Sequence, residues 1–146
     1  MTTRLRKPAR SKRKGVEAAE LAIVAPIILL ITFGTLETVE GILLNKKVEV
    51  AAHEGARVAI EQQSTSANVR DAVYRYMDSR GIHHDVSSVS ITPAPETAPM
   101  LTPVTVRVSV DTNENLRMPI RMYRYWAGRT IEREVTMFKE FSFNEP

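Results

Sequence analysis

The sequence contains no cysteine, which excludes a disulfide scaffold, a catalytic thiol, and zinc or iron–sulfur sites with cysteine ligands. The six glycines are dispersed, so no glycine-rich loop could cradle a phosphate. The proportions of apolar and charged residues are ordinary, which excludes a disordered or collagen-like chain. With 146 residues, the chain has room for one modest domain, or for a smaller domain with an appendage.

Acidic residues are absent from the first fifteen positions, although the whole chain has 20 basic and 17 acidic residues. This leader carries seven cations: Arg4, Arg6, Lys7, Arg10, Lys12, Arg13 and Lys14. A basic tail can bind nucleic acid, but no helix-turn-helix pattern or zinc finger follows it. An uncharged apolar run from Leu21 to Leu36 follows instead, so the membrane interpretation is considered first.

The apolar run predicts a membrane-spanning helix. Crossing the hydrocarbon core takes about 20 helical residues, and the stretch from Val16 to Leu36 meets that length. Because the cations precede the run, the positive-inside rule keeps them in the cytoplasm. The predicted organisation is a basic cytoplasmic leader at 1–15, a transmembrane helix at 16–44 and an extracytoplasmic head at 45–146.

Three interpretations of this segment compete. A cleaved secretory signal peptide has a shorter apolar core and a small-residue cleavage site, whereas Glu37 and Glu40 follow this run. An uncleaved signal anchor explains the length and the charge bias, but it does not explain Glu20 at the start of the run. A pilin precursor accounts for that carboxylate as well.

The junction Lys14-Gly15-Val16-Glu17-Ala18-Ala19-Glu20 resembles the processing site of type IV prepilins. In that class, a membrane aspartyl peptidase cuts after the glycine, on the cytoplasmic side. Glycine lacks a Cβ and fits an extended backbone in a tight protease cleft. The cut would free the α-amino group of Val16, and Glu20, one helical turn along, could pair with that ammonium in a neighbouring subunit.

The wider stretch resembles the TadE-like domain of the TadE and TadG minor pilins, or pseudopilins, of tight-adherence pilus systems. The matching positions are Gly15, Glu20, Ala22, Pro26, Phe33, Gly34, Glu37 and the segment from Ala51 to Arg57. Two positions depart from the pattern, namely Leu21, where an aromatic residue is common, and the additional acid Glu17. The resemblance implies a substrate of prepilin peptidase that meets membrane lipid, other pilin subunits and inner-membrane pilus assembly proteins.

Two rows of small residues indicate close helix packing. One row is Ala18, Ala22 and Ala25, and the other is Gly34, Thr38 and Gly41. Alanine is also simply a good helix former, so the first row alone does not demand a partner. Pro26 removes the backbone hydrogen bond to Ala22 and predicts a kink or loosened turn, although membrane helices tolerate proline. The predicted assembly residues are Glu20, Ala18, Ala22, Ala25 and Pro26.

The predicted fold class is α+β, in which a long N-terminal transmembrane-then-amphipathic helix carries a small head. The helix is predicted to continue to Gln63, with one apolar face formed by Val48, Ala52, Gly55 and Ala59. Ser66 is predicted to cap a second helix over 67–80, and Gly81 to terminate it. Period-two alternation predicts antiparallel strands over 86–92, 104–110 and 131–141, while 113–128 is either a flap or a short helix.

No catalytic constellation is found. His83-His84-Asp85 suggests a metal site, but adjacent strand residues point to opposite faces and no His-x-x-x-His spacing exists. Glu132 and Glu134 share a strand face, where neighbouring Arg129, Arg133 and Lys139 favour a solvated charged surface. The aromatic and arginine residues over 123–126 could bind single-stranded nucleic acid, but an external location favours packing or a partner subunit. We predict no enzymatic activity, no catalytic residue, no metal, no cofactor and no nucleic-acid partner.

The preferred interpretation is therefore a minor pilin of a tight-adherence pilus, located in the bacterial inner membrane with a periplasmic head. Whether the subunit enters the extracellular fibre, and whether Val16 is methylated, is left open by the sequence. The alternative is an uncleaved single-pass membrane protein with a structural or partner-binding extracytoplasmic domain. A membrane-anchored enzyme is a third class, for which the sequence offers no site.

Overall fold

The computed structural model describes residues 11–117, 125 and 128–139. Its first element is helix α1, Ser11–Ala59, an uninterrupted helix of 49 residues that contains Pro26. At 1.5 Å per residue, α1 is about 74 Å long, which confirms the predicted long N-terminal helix. It already begins within the basic leader. The predicted end at Gln63 is wrong, because i to i+3 bonds such as Ser64 N–H to Glu61 O (3.3 Å) replace the helical pattern after Ala59.

Helix α2, Ser66–Ser79, is capped by Thr65 and not by Ser66 as predicted. The Thr65 hydroxyl accepts from the Asn68 N–H at 3.3 Å, whereas the Ser66 N–H and hydroxyl both donate to the Glu96 carboxylate at 2.9 Å. The predicted terminator Gly81 is confirmed, since its φ of 63° is the left-handed conformation that glycine tolerates.

Within the described residues, the head also contains three antiparallel strands, in the order β1-β2-β3. They are β1, Val89–Thr92, β2, Pro103–Asp111, and β3, Thr130–Phe138, with a short helix α3, Thr112–Asn115, after β2. The first predicted strand starts too early, because Val86–Ser88 forms a 3₁₀ turn. Of the undecided segment 113–128, residues 118–124 and 126–127 lie outside the described residues, as do 140 and 141 of the last predicted strand.

The core lies between one face of the sheet and the two long helices. Val104, Val106, Val108 and Val110 are buried, while the alternate β2 residues are half-buried or exposed, as the period-two pattern predicted. The predicted apolar face of α1 is buried too, and the core also takes Leu44, Ala51 and Ala56 from α1 and Val69, Val73 and Met77 from α2. The observed α+β head on a long helix confirms the predicted fold class.

Gly55 lies where α1 packs against both α2 and β2. A Cβ at this position would lie 2.6 Å from Val73 Cγ2 and 3.0 Å from Val106 Cγ1. Contacts this short are strongly repulsive, so only a residue without a side chain lets the three elements approach this closely.

Candidate functional site

The N-terminal part of α1, residues 15–36, is not covered by the head, and we refer to it as the bare part of the helix. Large apolar side chains from Val16 to Leu43 are 40–69% exposed, and they occupy every side of the helix. Exposed apolar surface of this extent marks a membrane or protein contact. Within the described residues, α1 is the one helix that is long and apolar enough to cross a membrane, by length and composition. This is compatible with a single-pass membrane protein.

Burial of α1 begins at Glu37, the acid that follows the apolar run. Its side chain is only 1% exposed, and Gly41 and Leu44 are the next buried positions. The same helix is therefore bare for about its first half and packed into the head for its second half. The predicted boundary between residues 44 and 45 stays a prediction.

The predicted processing residues lie at the free end of this bare helix. Gly15 is exposed, and a Cβ added there would have no neighbour within 4 Å. Val16 and Glu20 are also exposed and stand one helical turn apart on the same face. Because all three positions are exposed, packing of the head does not explain which residues occupy them. Their roles as processing and assembly residues stay predictions.

The two rows of small residues have different environments. In the first row, Ala18 and Ala22 are exposed and Ala25 is half-buried. In the second row, Gly34 and Thr38 line an apolar groove of about 440 Å³ along the bare helix, whereas Gly41 is buried. The open groove thus ends at the turn of α1 where the head begins to cover the helix.

Three threonines, two in the apolar run and one just after it, have hydroxyls that are hydrogen-bonded inside the helix, a feature that the sequence analysis missed. The Thr32, Thr35 and Thr38 hydroxyls donate to the carbonyls of Ile28, Thr32 and Gly34, each at 2.8 Å. A hydroxyl that bonds to the preceding turn can face an apolar environment without an unpaired donor. The spacing of three residues between successive threonines was the available signal.

The His83-His84-Asp85 motif does not bring metal ligands together. His84 stacks on Tyr74 with ring centroids 4.6 Å apart and lies 3.1 Å from Asp78, whereas His83 Nδ1 lies 2.6 Å from Glu114. Across residues 11–117 and 128–139, no group of three or more His, Asp or Glu side chains is placed to hold a metal ion.

The carboxylates of Glu132 and Glu134 converge on one cation on the outer face of the sheet. Arg107, on the neighbouring strand, pairs with Glu132 at 2.9 Å and with Glu134 at 2.8 Å. The hydrogen bond that Arg107 donates to Glu134, followed by the negative charge of Glu132, raises the pKa of Arg107. All three side chains are about half exposed, so the predicted solvated charged face is confirmed, with Arg107 as the pairing cation.

Most of the aromatic segment lies outside the described residues. Tyr125 is described and is 88% exposed. The predicted alternatives for 123–126, a nucleic-acid surface or a packing surface, therefore stay predictions.

No curated protein and no solved structure shows a significant match to this chain. Residues 15–57 match a family model described as TadE-like protein, and the match begins at the predicted processing glycine and ends near the C-terminal end of α1. It therefore covers the bare half of α1 and most of the buried half. This match confirms the TadE-like resemblance through the N-terminal segment and, with the bare apolar helix, fits a membrane protein related to the tight-adherence pilus.

Proposed function

We propose that this chain is a minor pilin of a tight-adherence pilus that is processed after Gly15 and assembled by helix packing. The supporting observation is the bare half of α1, where Val16 and Glu20 stand one turn apart at the start of a TadE-like segment. The protein would act by packing and not by catalysis.

The exposed apolar side chains of the bare part of α1 can be buried in two environments. In the bilayer, the apolar side chains meet lipid, and in an assembled subunit bundle they meet other helices. The carboxylate of Glu20 is costly in lipid but is stabilised beside the Val16 ammonium of a neighbour. The groove at Gly34 and Thr38 allows close approach of a second helix without an unpaired hydroxyl.

The proposed location is the bacterial inner membrane, with the leader in the cytoplasm and the head in the periplasm. The proposed partners are membrane lipid, prepilin peptidase, other pilin subunits and inner-membrane pilus assembly proteins. The same helix packing would carry the subunit into the extracellular fibre.

We expect Gly15→Val to block processing. A branched side chain would fill the peptidase cleft that glycine fits. The substitution should not disturb the protein itself, because the space around Gly15 is open in the structure. The wild-type chain should lose about 15 residues and its seven leader cations, as seen by electrophoresis and by mass spectrometry of the N-terminal peptide.

Ala22→Val is the matched control for this experiment, since it places the same side chain on an exposed position of the same helix. It should be processed like the wild type. Co-migration of wild type and Gly15→Val, with peptides from Met1 intact in both, would reject the prepilin assignment.

We expect a periplasm-dependent reporter enzyme fused after Pro146 to be active, and a cytoplasm-dependent reporter at the same position to be inactive. The seven cations before the apolar run hold the leader in the cytoplasm, and the head follows on the other side. Paired fusions to a periplasm-dependent and a cytoplasm-dependent reporter measure this directly. Activity of the cytoplasm-dependent fusion would contradict the proposed orientation.

One observation supports the alternative of an uncleaved single-pass anchor. Gly15 is helical here, so a peptidase that needs an extended strand must first unwind the end of α1. N-terminal sequencing of membrane-purified protein distinguishes the two functions. A chain that starts at Val16 supports the pilin, and a chain that starts at Met1 supports the anchor.

A further inference from the structure

A cavity of about 340 Å³ lies where the bare part of α1 meets the head. Its polar lining comes from three separate parts of the chain: Glu40 and Lys47 on α1, Arg80 at the end of α2, and Asn115 and Arg117 after β2. The volume lies within the range of ligand pockets, roughly 300–1,000 Å³. The cavity is thus large enough for a small polar group.

Three of the residues that line this cavity are cations that form no salt bridge within the described residues. Lys47, Arg80 and Arg117 form no salt bridge with any described residue, in contrast to Lys46 and Arg107, which do. The Arg80 guanidinium lies 5.5 Å from the centroid of the Tyr76 ring, which restrains its position but leaves its charge available. Guanidinium groups bind phosphate oxygens in a bidentate manner, and lysine adds a point charge.

Asn115 holds one wall of the cavity in place. Its side-chain oxygen accepts from the His83 N–H at 2.7 Å, and its amide nitrogen donates to the carbonyls of His83 and Asp111 at 3.0 and 2.9 Å. These bonds connect the chain after α2 to the chain after β2. Arg80 and Arg117 are consequently presented to one space although they are far apart in the sequence.

Glu40 adds an acceptor to the same cavity. Its Oε2 atom is buried and has no hydrogen-bond partner among the described residues. A buried acceptor without a donor is unfavourable, so a ligand that brings an N–H or O–H group would be stabilised here. With three cations and one carboxylate, the site favours an anion that also carries a donor.

The position of the cavity along α1 indicates where such a ligand comes from. At 1.5 Å per residue, Glu40 lies about 6 Å beyond Leu36, the end of the uncharged run. Lys47 lies about 16 Å beyond it, so its long side chain would have to extend back towards the membrane to reach a headgroup. Phospholipid headgroups occupy roughly 5–8 Å beyond each side of the hydrocarbon core. Leu43, which also lines the cavity, is 54% exposed and continues the apolar surface of the bare helix.

We propose that this cavity binds the headgroup of a phospholipid, with the phosphate on Lys47, Arg80 and Arg117 and a donor such as the ethanolamine ammonium on Glu40. The inference rests on the proposed function, because insertion of α1 into a membrane is what brings the headgroups to this level. Such a site would hold the head against the membrane surface before a subunit leaves the bilayer.

Native mass spectrometry of the full chain, released from nanodiscs of equal parts phosphatidylcholine and phosphatidylethanolamine, tests the site. We expect the wild type to retain phosphatidylethanolamine in preference. Arg80→Gln with Arg117→Gln should reduce the retention of both lipids, by about tenfold for each charged hydrogen bond removed. Glu40→Gln should retain lipid but weaken the preference, because an amide oxygen accepts the ammonium hydrogen bond of phosphatidylethanolamine less strongly than a carboxylate does.

Arg70→Gln with Arg75→Gln is the matched control, since it removes two exposed charges from α2 away from the cavity. Retention unchanged in Arg80→Gln with Arg117→Gln, or reduced equally in the control, would overturn the site. Stabilisation by inorganic phosphate in detergent without retention of lipid would assign the cavity to free phosphate and overturn the lipid.

Insertion is measured separately, by flotation of every variant with vesicles. A wild-type chain that floats but shows no lipid preference contradicts the headgroup site alone. A wild-type chain that does not float contradicts the proposed membrane function and the headgroup site together.

Discussion

Gly55→Ala is expected to destabilise the head by about 1–3 kcal/mol, the usual cost of overpacking a core. Alanine would gain up to about 1 kcal/mol over glycine in a helix interior, so steric contact must decide the sign. The new methyl group would lie 2.6 Å from Val73 and 3.0 Å from Val106. Both neighbours are buried and β-branched, so neither can rotate away easily.

Native-state hydrogen exchange of the β2 amides, in the full chain in detergent, measures this loss, because these amides lie in the centre of the sheet. Gly15→Ala is the matched control, since it makes the same change in the same helix with no neighbour within 4 Å. Protection should fall in Gly55→Ala and stay unchanged in the control. A double variant that adds Val73→Ala should cost less than the sum of the two single changes. Unchanged protection in Gly55→Ala would show that the three elements can separate freely.

The sequence predicted those elements whose signal is local and periodic. The alternation over 104–110 identified β2, and the apolar spacing of Val48, Ala52, Gly55 and Ala59 identified the buried face of α1. Gly81 was identified because a helix end that needs a positive φ favours glycine. In each case, the pattern and the tertiary packing select the same conformation.

Two of the errors arose where a residue distant in sequence decided between two locally acceptable choices. Thr65 and Ser66 can each cap a helix, and Glu96, thirty residues away, engages Ser66 so that Thr65 caps α2. Residues 86–88 have strand propensity, but the Tyr74 hydroxyl donates to the Val86 carbonyl at 2.9 Å, and Asp85 and Ser88 bond to each other in a 3₁₀ turn. Such contacts cannot be read from spacing.

The candidate sites also differ in whether their residues are close in sequence or are brought together only by folding. Gly15, Val16 and Glu20 are adjacent in sequence, so their spacing alone supports a hypothesis about them. The cavity residues Lys47, Arg80 and Arg117 come from three elements, and only the folded head brings them together. The pairing of Arg107 with Glu132 and Glu134 likewise depends on the register of β2 and β3.

Glu20→Ala is expected to give a chain that is processed and inserted in the membrane but fails to support pilus assembly. In a pilin, the carboxylate pairs with the Val16 ammonium of a neighbour, and removal of one partner of a desolvated pair costs about 2–5 kcal/mol. The head should be unaffected, because Glu20 is exposed and lies about 25 Å along α1 from Glu37, where burial begins. Processing should persist, because it is the glycine that occupies the cleft.

Glu17→Ala is the matched control, since Glu17 is also exposed and acidic but is not one turn from Val16. It should support normal piliation.

Cysteines introduced at Ala18, Ala22 and Ala25 can report contact between subunits without background, because the chain has no cysteine of its own. Cross-linking should fall in Glu20→Ala in parallel with piliation. In a plain anchor, by contrast, removal of a carboxylate from an apolar segment is neutral or favours insertion. Normal piliation with unchanged cross-linking would therefore favour the anchor, because a lone carboxylate that no neighbour uses has no role in assembly.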